Sequence, residues 1–330
     1  MHELQRRLQF ACKAREPGKI AKIESPEGRR RPAGFYITPR PWISSLLFCA
    51  FANAAIAADF VRSGGPYVPT PQGVVDEMLA VAGVSRDDFV IDLGSGDGRI
   101  VLTAASRYQA RGKGVDIDPE LVDQSNKEVQ RRGLGKLIRF EQGDALKTRI
   151  EEATVVTLYL LPELMHALRD RLYKELGPGA RVVSHDFRFN DWMPDRTVTI
   201  DVPEKYGSRG AWQSNIFLWI VPAKIAGRWR AAIDDGNGEH YVLSFSQSFQ
   251  RIEGEALVDG VRVALEGAQI EGKRIRFLLP GTGEDAGTRR EFTGTIDGEA
   301  IQGTIVSYEG SVPWHATREP APVTARSTLQ

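Results

Sequence analysis

Residues 88–103 have the sequence Asp-Phe-Val-Ile-Asp-Leu-Gly-Ser-Gly-Asp-Gly-Arg-Ile-Val-Leu-Thr. The first part is apolar and β-branched, which predicts a buried strand, and the last part begins the apolar face of a helix. Between them lie Gly94, Gly96 and Gly98. Glycine tolerates positive φ and lets a ligand approach the backbone closely. The pattern therefore predicts a strand, a loop wrapped around a small molecule, and a helix.

Two carboxylates, Asp92 and Asp97, bracket this loop and indicate the class of its ligand. The dinucleotide fingerprint is G-x-G-x-x-G, whereas the third glycine here comes one residue early. A pyrophosphate at a helix N-terminus needs partial positive charge and no nearby carboxylate. S-adenosylmethionine instead carries a sulfonium and an α-ammonium group, which acids stabilise. The loop therefore favours S-adenosylmethionine over NAD.

Two further acids follow at predicted strand ends. Asp116, in Gly-Val-Asp-Ile-Asp at 114–118, lies about 20 residues past the loop, where a ribose-binding carboxylate is expected. Asp144, in Arg-Phe-Glu-Gln-Gly-Asp-Ala at 139–145, would end the third strand and face the adenine amino group. One G-x-G-x-G alone is typical of an ordinary tight turn, but three strand-end acids on an alternating strand and helix pattern predict a donor-binding site.

With these motifs, residues 65–222 resemble the class I, seven-strand S-adenosylmethionine-dependent methyltransferases. The resemblance implies that Asp92, Gly94 and Gly96 form the methionine-binding loop. It also implies that Asp116 binds the ribose and that Asp144 contacts the adenine.

Three segments narrow the resemblance to the non-SET protein-lysine methyltransferases, especially those that modify the c-subunit of ATP synthase. They are Pro-Tyr-Val-Pro-Thr-Pro at 66–71, Asp-Leu-Gly-Ser-Gly-Asp-Gly-Arg at 92–99 and Leu-Tyr-Leu-Leu-Pro at 158–162. This resemblance implies methyl transfer to a nitrogen, namely a protein lysine. A small-molecule or lipid methyltransferase and a non-catalytic S-adenosylmethionine-binding module remain as alternatives. The chain lacks the Asn/Asp-Pro-Pro-Tyr motif, which argues against adenine or cytosine as the acceptor.

The acceptor side is predicted at the carboxyl ends of the fourth and fifth strands, because ligands of open α/β sheets bind there. Tyr159 is the first candidate, with Leu161 beside it, and the alternative is a core tyrosine with a satisfied hydroxyl. His185 and Asp186 could act as a base or ligand, or could be hydrogen-bonded structure. Trp192 would be a lid aromatic or part of the local core.

The segment before the first helix supplies two more candidates. Thr70 is predicted to cap a helix with Pro71 at its first position, and it is also a candidate donor contact. Tyr67 would either close over the donor and help to position the acceptor, or pack against the start of the helix.

The alternation of elements predicts a Rossmann-like α/β sheet followed by a small all-β C-terminal domain. Strands are expected near 89–93, 112–117, 137–142, 153–159 and 180–185, and helices near 98–108, 119–132 and 163–176. Strands at 196–201 and 215–221 would complete the seven-strand sheet that the resemblance implies.

From 226 to 317, apolar and polar residues alternate with the period of half-buried strands, which predicts an antiparallel barrel or sandwich. Trp229 and Trp314 would fill its core. Acid–Gly pairs after Ile252, Ile270 and Ile296 predict hairpin turns. The domain would recognise a substrate or partner, or would only stabilise the chain. Residues 318–330 are predicted to be disordered.

The net charge of zero conceals an asymmetry. Residues 1–57 carry ten Lys/Arg and four Asp/Glu, whereas the rest of the chain carries thirty-three and thirty-nine, so the two parts have net charges of +6 and −6. Because phosphate binding needs clustered basic charge, the acidic body argues against a nucleic-acid partner. The two cysteines, Cys12 and Cys49, both precede residue 58, and they predict neither a disulfide framework nor a metal site.

Residues 1–41 are basic and lack apolar periodicity, which predicts disorder or a mis-assigned upstream extension. Residues 42–58 form an uncharged apolar run that follows Arg40 and ends near Ala55-Ile56-Ala57. A basic flank, a short apolar core and an A-x-A site fit a signal peptide, and the run is short for a membrane-spanning helix. The alternatives are a buried helix and an uncleaved membrane anchor. The sequence thus predicts export to the periplasm or envelope if the signal is real, and a cytoplasmic protein otherwise.

Overall fold

The computed structural model describes residues 67–205, 208–234, 240–258, 260–283, 287–308 and 310–320. The predictions for residues 1–41 and 42–58 lie outside the described residues. No helix in the described ranges is long and apolar enough to cross a membrane.

The first part of the described chain is a mixed seven-strand sheet with four helices. Its strands are β1 Phe89–Leu93, β2 Arg111–Asp116, β3 Ile138–Gln142, β4 Val155–Leu158, β5 Arg181–His185, β6 Arg196–Lys205 and β7 Ser208–Ile220. Its helices are α1 Gln72–Val81, α2 Arg99–Tyr108, α3 Pro119–Arg132 and α4 Pro162–Glu175. The strand order is β3-β2-β1-β4-β5-β7-β6, in which β7 is antiparallel to both neighbours. This topology confirms the predicted Rossmann-like methyltransferase sheet.

The apolar run of β1 is buried on both faces of the sheet, as a central parallel strand requires. Ile91 and Leu93 point to one side and pack in the cluster that contains Leu168 of α4. Val90 points to the other side and packs with Met78 of α1. The strand order reverses between β1 and β4, and at such a switch point the helices leave a crevice at the carboxyl ends of the strands.

The second part is an antiparallel β-barrel. Its strands are β8 Gly227–Ile233, β9 His240–Ser248, β10 Arg251–Val258, β11 Val261–Ala264, β12 Glu266–Glu271, β13 Arg274–Pro280, β14 Arg289–Asp297, β15 Ala300–Ser307 and β16 Gly310–Arg318. Eight of them close a ring, in which β16 pairs with β8 and β9 pairs with β10. The ninth, β11, pairs with β10, which also pairs with β12. The fully buried rings of Trp229, Trp314, Phe277 and Phe292 fill its interior. The all-β domain is thus a filled barrel rather than a sandwich.

Two details of this domain differ from the sequence predictions. Ile252 and the acid–Gly pair after it lie inside β10, and the turn falls at 249–250 instead, where Phe249 adopts a positive φ of 54°. The last strand runs through Arg318, and Glu319 forms ion pairs with Arg228 and Arg230 of β8. Ordered structure therefore continues past residue 317.

Candidate functional site

A cleft of about 240 Å³ opens at the carboxyl ends of β1, β2 and β4. It lies at the switch point of the sheet, between β1 and β4. Its lining includes every residue that the sequence analysis assigned to the donor: Asp92, Gly94, Gly96, Asp116, Asp144 and Thr70. Tyr67 and Tyr159 also line it, and Trp192 does not.

The glycine loop has the backbone geometry that its sequence predicts. Gly94, Gly96 and Gly98 have φ angles of 79°, 54° and 76°. A Cβ atom on Gly94 would lie 2.7 Å from the Leu160 side chain, and one on Gly96 would lie 2.4 Å from the Tyr67 ring. A side chain at either position would therefore clash with a residue that lines the cleft. The loop needs glycine for space as well as for its positive φ.

Asp92 presents an unpartnered oxygen in this cleft. Its carboxylate is buried, and one oxygen accepts a 2.6 Å hydrogen bond from the Thr157 hydroxyl while the other has no partner. Burial raises the pKa of the Asp92 carboxyl to about 7, against the opposing hydrogen bond from Thr157. The negative charges of Asp116 and Asp97 raise this pKa further. Because buried polar atoms are nearly always satisfied, the free oxygen indicates a polar or cationic ligand.

Asp116, at the end of β2, is tied to the glycine loop. Its carboxylate accepts hydrogen bonds from the Gly96 N–H at 2.7 Å and from the Asp118 N–H at 3.0 Å. Asp118 in turn caps α3 by accepting from the Glu120 N–H at 2.8 Å. A carboxylate has about four lone-pair directions, so Asp116 can still accept from a ligand in the cleft.

Asp144 lies two residues beyond β3 rather than at its end, because the strand stops at Gln142. Its side chain accepts from the Leu146 N–H at 2.9 Å and so shapes the loop over the cleft. Sequence reasoning missed the residue that holds this loop, Arg171 of α4. The Arg171 guanidinium donates to the carbonyl oxygens of Leu146 and, at 2.8 Å, of Thr148. The sequence around Arg171 predicts only an ion pair with Glu175 on the same helix. The loop residues that it contacts, Thr148 and Leu146, lie 23 and 25 positions earlier in the chain.

The predicted helix cap at Thr70 is wrong. Helix α1 begins after Pro71, which makes no side-chain cap, and Thr70 is buried with its carbonyl accepting from Arg99 at 2.7 Å. Arg99 also forms a 2.6 Å ion pair with Asp97, so the charge of Asp97 is balanced within the protein. Burial and the neighbouring Asp97 carboxylate raise the pKa of Tyr67 to about 12. Tyr67 therefore lies over the glycine loop as a neutral phenol.

On the acceptor side, Tyr159 lines the cleft and rests on the His185 ring, with their centroids 4.1 Å apart. The His185 side chain is 1% exposed, and its Nε2 lies 3.0 Å from the Ser214 hydroxyl. Burial lowers the pKa of His185 to about 4. His185 is thus uncharged near neutral pH and supports the Tyr159 ring. Its neighbour Asp186 pairs with Lys205 at 2.7 Å.

The structure corrects the prediction for Leu161 and decides between the two alternatives for Trp192. Leu161 precedes the first residue of α4 and does not line the cleft, whereas Leu160 and Leu164 do. Trp192 has no exposed surface and is a core residue rather than a lid. Its ring stacks on Phe189, with centroids 5.4 Å apart, and on Phe249 of the barrel, with centroids 5.2 Å apart. An isolated aromatic after a strand gives no sequence signal that separates these two roles.

The cleft fits S-adenosylmethionine by the chemistry of its residues. The free oxygen of Asp92 suits a cationic group, the glycine loop leaves space against the backbone, and Asp116 offers acceptors for hydroxyl groups. Within the described residues, no three His, Cys, Asp or Glu side chains cluster in a way that could hold a metal ion.

Comparisons with known proteins match this part of the chain. The family model of the ANTKMT methyltransferase domain matches residues 92–196. The chain is 42% identical over 157 residues to a protein-lysine N-methyltransferase of Saccharolobus islandicus (strain REY15A), covering 47% of this chain and 93% of that protein. It is 31% identical over 185 residues to the ATP synthase c-subunit lysine N-methyltransferase of Mus musculus, covering 56% of this chain and 74% of that protein.

Among solved structures, the chain is similar to an RNA methyltransferase from Salinibacter ruber in complex with S-adenosyl-L-homocysteine. The sequence identity is 47%, the TM-score is 0.43, and the match covers 48% of this chain and 96% of that one.

Proposed function

This chain belongs to the protein-lysine N-methyltransferase family, and from that premise we propose that its S-adenosylmethionine-dependent methyl transfer acts on the side-chain nitrogen of a protein lysine. The observation that carries the proposal is the 42% identity that extends over 93% of the length of a protein-lysine N-methyltransferase. The cleft at the switch point of the sheet supports the proposal. Its residues suit the donor on one side and form an apolar wall for the acceptor on the other.

On the donor side, Asp92, Gly94 and Gly96 would hold the methionine portion of S-adenosylmethionine. Asp116 would accept from the ribose hydroxyls, and Asp144 would face the adenine. When bound, S-adenosylmethionine supplies an electrophilic methyl group on a sulfonium. The protein itself has mainly to position the acceptor and exclude water, because an in-line displacement of this kind needs alignment more than acid or base chemistry.

On the acceptor side, a lysine must arrive as a neutral amine. An apolar environment penalises the ammonium form and lowers the pKa of a lysine. Tyr159, Leu160 and Leu164 form such a wall, and the buried His185 behind Tyr159 adds no positive charge near neutral pH. No side chain of this wall is assigned as a general base.

The proposal is tested with S-adenosylmethionine labelled with tritium on its methyl group, added to purified protein and native-host extract. Labelled protein that yields methyl-lysine on acid hydrolysis supports it. Label in the lipid, RNA or small-molecule fraction instead would overturn the lysine assignment. If no extract causes release of S-adenosylhomocysteine, the chain is a binding module rather than an enzyme. The control is Asp116→Ala, which should label the same fraction much more weakly at a donor concentration below the parent's KM.

We also propose that the protein is exported, with residues 42–58 as its signal peptide and the envelope as the place of its acceptor. The basic flank at Arg40, the apolar run and Ala55-Ile56-Ala57 support this proposal. N-terminal sequencing of the protein from its native host should begin at Ala58 or within a residue or two. Recovery of a full-length cytoplasmic species would contradict export.

A further inference from the structure

The barrel contacts the methyltransferase domain through the turn between β9 and β10. The Phe249 ring lies parallel to the buried Trp192 ring, with centroids 5.2 Å apart and an angle of 9°. The edge of Tyr173 meets Phe249 at 5.0 Å, and the Arg169 guanidinium lies 5.9 Å from its centroid. The next residue, Gln250, donates to the carbonyl of Met193. Two successive barrel residues thus hold two successive residues of the β5–β6 connection.

The backbone at this contact is strained. Phe249 has a φ of 54°, in the left-handed region that residues other than glycine rarely adopt. In the described residues, the only other non-glycine positions with positive φ are Gln109 and Asp186. Gln109 ends helix α2, where such a conformation is common. Asp186, with a φ of 61°, begins the β5–β6 connection. Phe249 contacts the same connection further along, at Trp192. Strain of this kind persists only where the surroundings enforce it.

Two groups of aromatic contacts lie along the connection, one at Trp192 and one at Tyr159, and the backbone of residues 187–189 joins them. Trp192 stacks on Phe189 at 5.4 Å, and its carbonyl accepts from the Trp219 indole N–H at 2.9 Å. Two residues before Phe189, the Phe187 ring stacks on Tyr159 at 6.2 Å. Tyr159 lines the cleft. A displacement of the connection at Trp192 would therefore reach Tyr159 through the Phe189 ring, the backbone of residues 187–189 and the Phe187 ring.

The start of the connection is anchored to the sheet by hydrogen bonds of its own. The Asp186 N–H donates to the Asn215 carbonyl at 2.7 Å, and the Asp186 carboxylate accepts from the Asn215 N–H at 3.0 Å. The Ser184 hydroxyl donates to the Phe187 carbonyl. Near Trp192, the barrel adds a further contact, because the Phe249 ring stacks on the Trp192 ring.

We propose that Phe249 is a positioning residue for methyl transfer: the barrel uses it to fix residues 186–193, and thereby Tyr159, in the acceptor wall. This deepens the proposed function and rests on it, because Tyr159 is assigned to the acceptor. The proposal also gives the barrel a role that needs no ligand inside it. The space that such a ligand would need is occupied by buried aromatic rings, namely those of Trp229, Trp314, Phe277 and Phe292. The barrel then acts through its contact with the catalytic domain rather than through a ligand of its own.

The test is a set of single variants of the full chain, assayed for tritium transfer to native-host extract protein over a range of S-adenosylmethionine concentrations. Phe249→Ala removes the ring. Phe249→Tyr keeps the flat face, and Phe249→Leu keeps apolar volume without it. The matched control is Tyr308→Ala, which removes a ring that is 78% exposed near the turn at the opposite end of the barrel. Titration with S-adenosylhomocysteine and amide hydrogen exchange are measured on the same samples.

We expect Phe249→Ala and Phe249→Leu to lower kcat by about tenfold or more, because small displacements of positioning groups have such effects. The KM for the donor and the affinity for S-adenosylhomocysteine should change by less than about twofold, since the proposed donor residues lie on other elements. Phe249→Tyr should restore kcat, and Tyr308→Ala should match the parent. Amide exchange should rise in residues 186–193 of the Phe249→Ala protein and stay unchanged in β1 and β2.

Parent-like kcat in folded Phe249→Ala or Phe249→Leu protein would overturn the proposal. Equal losses of donor affinity and kcat would overturn it as well, because they would indicate general loosening. If Phe249→Ala does not fold, Phe249→Leu decides by the same criteria. Failure of the proposed function looks different, because the parent itself would then label no protein. The exchange measurement still tests the coupling of residues 186–193 to the barrel in that case.

Discussion

Asp116 is the single residue on which the assignment of the donor site depends most. Replacing it with alanine should weaken S-adenosylhomocysteine binding about 10- to 100-fold, because hydrogen bonds to a charged acceptor contribute roughly 1.5–3 kcal/mol. The melting temperature should fall too, since Asp116 also accepts from the N–H groups of Gly96 and Asp118. Calorimetric titration and thermal unfolding measure the two effects.

Two neighbouring acids serve as comparisons for Asp116→Ala. Asp118→Ala removes the α3 cap and should cost about 1 kcal/mol of stability with a smaller effect on donor affinity. Asp123→Ala removes only an exposed ion pair with Lys127 and should change neither. If Asp116→Ala binds the donor product as the parent does, the assignment of this strand end fails.

The protonation of Asp92 predicts opposite pH dependences for stability and for donor binding. Its pKa of about 7 lies above the ordinary value, so the folded protein binds more protons than the unfolded chain from about pH 4 to about pH 7. The free energy of unfolding should therefore decrease as the pH rises through this window. Affinity for the cationic S-adenosylmethionine should instead increase, because the carboxylate becomes ionised.

Titrations and unfolding curves from about pH 5 to about pH 8 check both trends. Asp92→Asn is the matched variant, since it keeps the shape of the side chain and cannot ionise. It should remove most of each slope. A parent-like pH dependence in Asp92→Asn would assign the titration to another group.

The glycine loop as an element predicts a difference between two alanine substitutions at positive φ. Gly96→Ala and Gly133→Ala place a Cβ on backbones with φ of 54° and 69°, which costs about 1–2 kcal/mol in either case. At Gly96 the Cβ would also lie 2.4 Å from the Tyr67 ring, whereas at Gly133 nothing lies within 4 Å. Both variants should lose stability, and only Gly96→Ala should lose donor affinity as well. Equal donor affinity in the two would show that Tyr67 does not pack over the donor.

Regular elements were predictable from the sequence because their apolar periods are long and their bounding signals are strong. Helix α3 occupies 119–132 as predicted, since Asp118 caps it, Pro119 begins it and Gly133 ends it. The closing hairpin is longer than predicted, with β6 and β7 reaching Lys205 and Ser208, because polar and charged residues on an exposed hairpin lack an alternating pattern.

The errors lie where several local signals compete. Thr70 and Pro71 form a good capping sequence, yet the Thr70 carbonyl accepts a hydrogen bond from the Arg99 side chain of helix α2. The pair after Ile252 has turn composition, but Gly254 sits in β10 against the Phe245 ring, and a Cβ there would approach it to 2.8 Å. A glycine that gives space and a glycine that makes a turn look the same in a single sequence.

At the scale of the whole molecule, each sheet has a core of its own. The cores of the seven-strand sheet belong to residues before 222, and the barrel core runs from Ala223 to Ala316. The relative from Saccharolobus islandicus is matched over 93% of its length by 157 residues, which is too short for both units. The family fold can therefore form without a barrel, and in this chain the barrel is an addition that contacts the catalytic domain at Trp192 and also at Gly179, through Gly272.

A chain that ends at Pro222 should consequently keep its donor site. The proposed donor residues all precede the cut, so its affinity for S-adenosylhomocysteine should stay within about threefold of the parent. Its melting temperature and solubility should fall, because loss of Phe249 leaves the Trp192 and Tyr173 rings partly exposed to water. Turnover should fall more than donor binding, since the β5–β6 connection loses its support. Titration, thermal unfolding and the tritium assay compare the truncated chain with the full chain, and a folded truncation that no longer binds the donor product would contradict the independence of the two cores.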